Sequence, residues 1–141
     1  MLSSDRSSAE DTLIYSCAGG CNVGQLSNAA AVRLDQEGLG TLFCLAAVGG
    51  HVDDLVQKAQ EAGCALVIDG CPVQCARRTL EHAGVEPCCH VVVTELGIEK
   101  NRNFELCADE VEQVVEAVKS AGTDAGEGDK GSGCCSCRSD A

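Results

Sequence analysis

Apolar residues alternate between two patterns along the chain. Thr12 to Ser16, Thr41 to Val48, Ala65 to Ile68 and His90 to Glu95 are short runs centred on Val, Ile and Leu. Runs of this kind suit strands buried on both faces. Between and after them, apolar residues recur every three or four positions, the spacing of one helix face. Gln25 to Gln36 carries Leu26, Ala29, Ala30 and Leu34; Val52 to Ala62 carries Leu55, Val56 and Ala59; Ala108 to Ala121 carries Val111, Val114, Val115 and Val118. Gly38, Gly63 and Gly84 stand where such helices stop. Strand followed by helix, four times over, predicts an α/β fold of three α-β-α layers. Its centre is a four-stranded parallel sheet with right-handed crossovers, a Rossmann-like or flavodoxin-like arrangement.

The sharpest junction is Cys64 to Ala76, Cys-Ala-Leu-Val-Ile-Asp-Gly-Cys-Pro-Val-Gln-Cys-Ala. A buried strand ends at Asp69-Gly70, and Gly70 permits an abrupt exit from the sheet. Pro72 suits the first helical position. This places Cys71 at the N-cap of a helix ending near Gly84, with Cys75 one turn on and on the same face. The positive helix end favours thiolate, the form that binds metal and attacks electrophiles.

Composition narrows the picture. With 2% aromatic residues, the core must be Val, Leu, Ile and Ala, with Cys as small filler. A net charge of −12 argues against a nucleic-acid or anionic-membrane partner. No apolar segment approaches 18 residues, and Met1 to Asp11 lacks the apolar stretch of an export signal. A cytoplasmic protein is expected. Its twelve cysteines then point to metal or redox chemistry and not to a disulfide framework. Residues 1–11 read as a disordered lead-in, 12–121 as the domain, and 122–141 as a flexible acidic linker. The linker delivers Cys134, Cys135 and Cys137, which either capture a soft metal or are incidental.

Parallel strands allow the cysteines to be sorted by sheet edge. Cys17, Cys44, Cys71 and Cys75 follow or end strands one to three, at the carboxyl edge where open α/β sheets place their sites. Cys64, Cys88 and Cys89 precede strands three and four, at the opposite edge. A strand is roughly 20 Å long, so one metal site cannot draw on both edges. Cys17, Cys44, Cys71 and Cys75 are therefore the candidate ligand set. For their sulfurs to meet, strand one must lie between two and three, which gives the order 2-1-3-4. Four thiolates suit zinc in a closed tetrahedral shell, or an iron–sulfur cluster. Plain core packing is the competing reading for any one of them.

Other residues near that edge stay open to two readings. Cys21 is a fifth ligand, a resolving thiol or a spectator. Asp69 braces the loop or accepts a proton, and His51 is an alternative ligand. Gly19-Gly20 and Asn22 to Gln25 form either an anion nest or a generic turn. His82 and the Arg77-Arg78 pair read as surface, and His90 begins strand four at the opposite edge.

Asp69-Gly70-Cys71-Pro72, Ser16-Cys17 with Asn22-Val23-Gly24-Gln25, and Phe43-Cys44-Leu45-Ala46 together resemble the DGC-domain family over about Thr12 to Ala121. The resemblance implies zinc chelation through Cys17, Cys44, Cys71 and Cys75, and it assigns no reaction. Cys21 and the tail cysteines depart from the family pattern. The leading expectation is a cytoplasmic zinc-binding protein, the metal being its partner. The alternatives are a thiol redox enzyme or sensor, using Cys71 with Cys75, Cys17 or Cys21, and an iron–sulfur protein with the same ligands.

Overall fold

A computed structural model describes residues 11–127. The elements in chain order are β1 (Thr12–Ser16), α1 (Asn22–Gln36), β2 (Thr41–Leu42), α2 (Leu45–Gly49), α3 (Asp53–Glu61) and β3 (Cys64–Asp69). Then follow α4 (Cys75–His82), β4 (Cys89–Val92), a 3-10 turn (Val93–Leu96) and α5 (Ala108–Glu127). The strands form one parallel sheet in the order β2-β1-β3-β4. This is the 2-1-3-4 topology that the cysteine spacing demands.

Side chains alternate across a strand, and the two faces of the sheet are each covered by helices. Ile14, Leu66, Ile68, Cys89 and Val91 meet Val23, Leu26, Ala30 and Leu34 of α1 and Val114, Val115 and Val118 of α5. Leu13, Tyr15, Ala65 and Val67 meet Val48 of α2, Ala59 of α3, and Ala76 and Leu80 of α4.

Several boundaries differ from the sequence expectation. The run from Thr41 to Val48 is not one strand. β2 is an edge strand paired only through Leu13↔Thr41 and Ile14↔Leu42, and Phe43 N still donates to Ile14 O. With no partner strand on its outer side among the described residues, the Leu45-Ala46-Ala47 stretch follows its helical propensity and folds Val48 onto the sheet. β4 ends at Val92 and passes into the 3-10 turn, where Thr94 N donates to Gly70 O. α1 begins at Asn22, and α5 continues past Ala121 to Glu127, where a linker was expected. Residues 1–10 and the tail cysteines Cys134, Cys135 and Cys137 lie outside the described residues. No helix among the described residues is long and apolar enough to cross a membrane.

Tyr15 is fully buried, and its hydroxyl has no hydrogen-bond partner among the described residues, while its ring meets Phe43 edge-on at 5.8 Å. A buried hydroxyl without a partner costs about 1–3 kcal/mol, so Tyr15→Phe is expected to stabilise the fold by about 1 kcal/mol. Burial pushes the phenol up to about 12, from about 10 in the unfolded chain. The neutral phenol is the form the fold favours. This contribution is whole below pH ~10 and disappears as pH rises through about 12. Alkaline unfolding curves of Tyr15→Phe should lack that loss.

Candidate functional site at the carboxyl edge of the sheet

The site is built from the turns leaving β1 and β3, neighbours at the sheet centre. Their backbones pack against each other. A Cβ on Gly70 would lie 2.8 Å from both Gly24 N and Val23 C, and one on Gly24 would lie 2.6 Å from Gly19 N. Glycine at these positions lets the two turns and the start of α1 approach this closely.

Cys17 follows β1 and extends its ladder, with its N–H donating to Ile68 O. Its sulfur accepts the Gly19 N–H at 3.3 Å. Burial pushes the Cys17 thiol up, the amides of Gly19 and Gly70 pull it down, and the charges of Asp69 and Cys75 push it up again. Cys17, Asp69 and Cys75 thus share one neighbourhood.

Cys71 does not cap a helix, contrary to the sequence expectation. Cys71 to Gln74 forms a turn, Gln74 adopts a left-handed φ of 58°, and α4 starts at Cys75. The cause is Asp69, which is wholly buried. Its Oδ1 accepts the Ala76 N–H at 2.8 Å and its Oδ2 the Arg77 N–H at 3.1 Å. A carboxylate seven residues upstream does the capping, so the helix begins where that carboxylate reaches and not at Pro72. Asp69 is therefore a loop brace, as one of its two readings held. His90 Nε2 donates to the same Oδ2 at 2.9 Å. His90 pairs in register with Val67, so its ring lies on the Asp69 face and runs along the strands towards it. Counting by edge missed this contact; the period-two alternation of β3 and β4 contains it.

A second contribution was not foreseen. Lys100 Nζ donates to Cys71 Sγ at 3.5 Å. Cys71 first, then Cys21 and Cys17, raise the ammonium above its ordinary range. Lys100 sits in the loop after the 3-10 turn, and Asn22 straps that loop over the rim. Asn22 Nδ2 donates to Glu99 O at 2.8 Å, and Asn22 Oδ1 accepts from Asn101 N at 2.6 Å. Arg102 adds a bond to Gly20 O at 2.9 Å. Gly19 N, Gly19 O and Gly20 O thus all make internal contacts.

The sulfurs share an edge but not a face. Cys17 packs against the α2–α4 side, whereas Cys21 and Cys71 pack against the α1–α5 side. Cys44, at the N-cap of α2, and Cys75, opening α4, are exposed. Among the described residues, no three His, Cys, Asp or Glu side chains stand together as a ready metal cage. His51 meets His82 edge-on, with ring centroids 5.2 Å apart. His82 closes α4 and Cys75 opens it, about 10 Å apart along a helix of that length, so His51 is not brought to the sulfurs.

The profile of the DGC domain matches residues 13–118. The chain belongs to the DGC-domain family. It is 37% identical over 102 residues to the anaerobic and virulence modulator AnvM of Pseudomonas aeruginosa, covering 72% of this chain and 78% of that protein. No solved structure matches it. The segments that resemble the family in sequence are the parts described above. Asp69-Gly70-Cys71 is the brace, the close-packed glycine and the Lys100-paired sulfur, and Asn22-Val23-Gly24 is the strap and the surface on which Gly70 rests.

Proposed function

We propose that this DGC-domain protein binds zinc through Cys17, Cys44, Cys71 and Cys75. The supporting observation is that adjacent parallel strands carry Cys17 and the Cys71–Cys75 segment to one rim. There the Cys17 sulfur meets backbone N–H groups and the Cys71 sulfur meets an ammonium. Donors of this kind stabilise sulfur anions, the ligand form of cysteine, against the burial that holds the Cys17 thiol above its ordinary value. The four thiols suit a soft ion in kind and in edge. Because their sulfurs lie on two sides of the sheet, binding requires Cys71 to turn across the rim within the Gly70–Gln74 segment. A four-thiolate shell leaves no open position for water, so the bound ion serves structure, sensing or transfer and not hydrolysis. The −12 charge draws cations to the surface, and a reducing cytoplasm is the compartment in which such thiols stay available.

Cys17→Ser and Cys71→Ser are expected to weaken zinc binding at least about tenfold and to lower the melting temperature of the zinc-loaded protein. Cys64→Ser and Cys88→Ser should leave stoichiometry unchanged. Elemental analysis after anaerobic purification, with chelator competition, reads both. Equal zinc content in all four variants would overturn the edge assignment, and brown, iron-containing protein would replace zinc with a cluster.

The Lys100–Cys71 contact favours a second reading, a redox-responsive thiol at Cys71 resolved by Cys75, Cys17 or Cys21. A role in sensing fits the modulator name of the relative. Metal-free protein that reduces a disulfide substrate, with activity lost in Cys71→Ser, is the result that would select it.

A further inference from the structure

At the opposite edge of the sheet the structure joins Cys64 and Cys88 in a disulfide, with Cα atoms 5.5 Å apart. The sequence argued against a disulfide framework and did not single out this pair. Cys17, Cys21, Cys44, Cys71, Cys75 and Cys107 are free thiols. One bond among so many thiols is not the dense framework of a secreted scaffold, and in a reducing compartment such bonds are mostly exchangeable. Both partners are partly exposed, within reach of a small reagent, whereas the neighbouring Cys89 is 2% exposed.

Both cysteines are also held by backbone hydrogen bonds that do not involve their sulfurs. Cys64 N donates to Asp11 O at 3.1 Å and Cys88 N to Ala65 O at 2.9 Å. A reduced pair therefore stays poised to close again. The bond joins positions 24 apart in sequence, and the ring it closes holds all of β3, the Cys71 turn and α4 with Cys75. Bond state at one edge thus decides how tightly the ligand-bearing crossover is tethered.

We propose that Cys64 and Cys88 form a redox-active pair that exchanges with low-molecular-weight thiol–disulfide couples, separate from the carboxyl-edge site. One protein thiolate attacks the small disulfide, forming a mixed disulfide and releasing one small thiol. The other protein thiolate attacks the protein sulfur of that mixed disulfide, closing the Cys64–Cys88 bond and releasing the second. Two protein thiols are oxidised, and one small disulfide is reduced to two thiols. Reduction runs the same steps backwards. None of this depends on zinc.

The test equilibrates the full-length protein in a series of reduced-to-oxidised glutathione ratios, alkylates the free thiols, and maps them by mass spectrometry. Cys64 and Cys88 are expected to lose and regain alkylation together at a single midpoint, in both directions. In Cys64→Ala, any loss of alkylation at Cys88 should be a glutathione mixed disulfide and not a bond to another cysteine. The oxidised protein should melt about 10 °C higher than the reduced one, and the gap should vanish in Cys64→Ala and in Cys88→Ala. The proposal fails if both cysteines stay alkylated throughout, if either pairs with another cysteine, or if excess reduced glutathione leaves the bond intact in the folded protein. Mapping on the unaltered chain decides the matter even if a variant does not fold.

Discussion

Replacing Asp69 with alanine should destabilise the protein by about 4 kcal/mol. Asp69 is wholly buried and carries three hydrogen bonds at once, from the amides of Ala76 and Arg77 and from His90 Nε2. Ala76 and His90 are themselves buried. Alanine would strand their donors away from water, and each such group costs about 1–3 kcal/mol. Total stabilities of small domains are only about 5–15 kcal/mol, so this single change removes a large share. Asp69→Asn keeps one acceptor but turns an amide N–H towards donors, and about 2 kcal/mol is expected. Urea midpoints at constant slope measure both. His90→Leu and the double variant complete a cycle. A coupling of about 1–3 kcal/mol is expected, and additivity within about 0.5 kcal/mol would show that the two residues do not act together. The loss extends to the site, because the same carboxylate sets where α4 starts and hence where Cys75 stands.

Gly70→Ala should cost about 3 kcal/mol. The new methyl would meet backbone atoms of Val23 and Gly24, which cannot rotate aside as a side chain can. The turn after β3 and the start of α1 would have to separate, and both carry sulfurs. Zinc binding should weaken together with stability. Gly20→Ala is the matched control in the same rim. Its Cβ would meet nothing closer than Arg102 Nη1 at 3.8 Å, an ordinary contact, and a change within about ±0.5 kcal/mol is expected. Thermal unfolding and chelator competition on the two variants separate a packing requirement from a general intolerance of side chains in these turns.

Periodicity and cysteine position carried much of the architecture in the primary structure. Alternating runs and stripes sufficed for a parallel α/β sheet, because burial on both faces forces continuous apolar strands and a crossover forces an amphipathic helix. The 2-1-3-4 order followed from asking which strands must be neighbours for Cys17 and Cys71 to share a rim. Local propensity misled where a distant group intervened. Pro72 is a sound helix opener taken alone, but Asp69 caps the helix three residues later. Thr41 to Val48 is apolar enough for a strand, but an edge strand has nothing to bond on its outer side.

What the sequence determined by itself was the edge of the sheet to which Cys17, Cys44, Cys71 and Cys75 go, and the opposite edge for Cys64, Cys88 and Cys89, since a parallel strand can deliver the residue that follows it to only one end. Tertiary structure decided which side of that edge each sulfur takes, which cation faces Cys71, that His90 reaches Asp69, and that Cys64 meets Cys88. These depend on how turns leave the sheet and on which loops fold back over it, and such contacts join residues with no spacing in common.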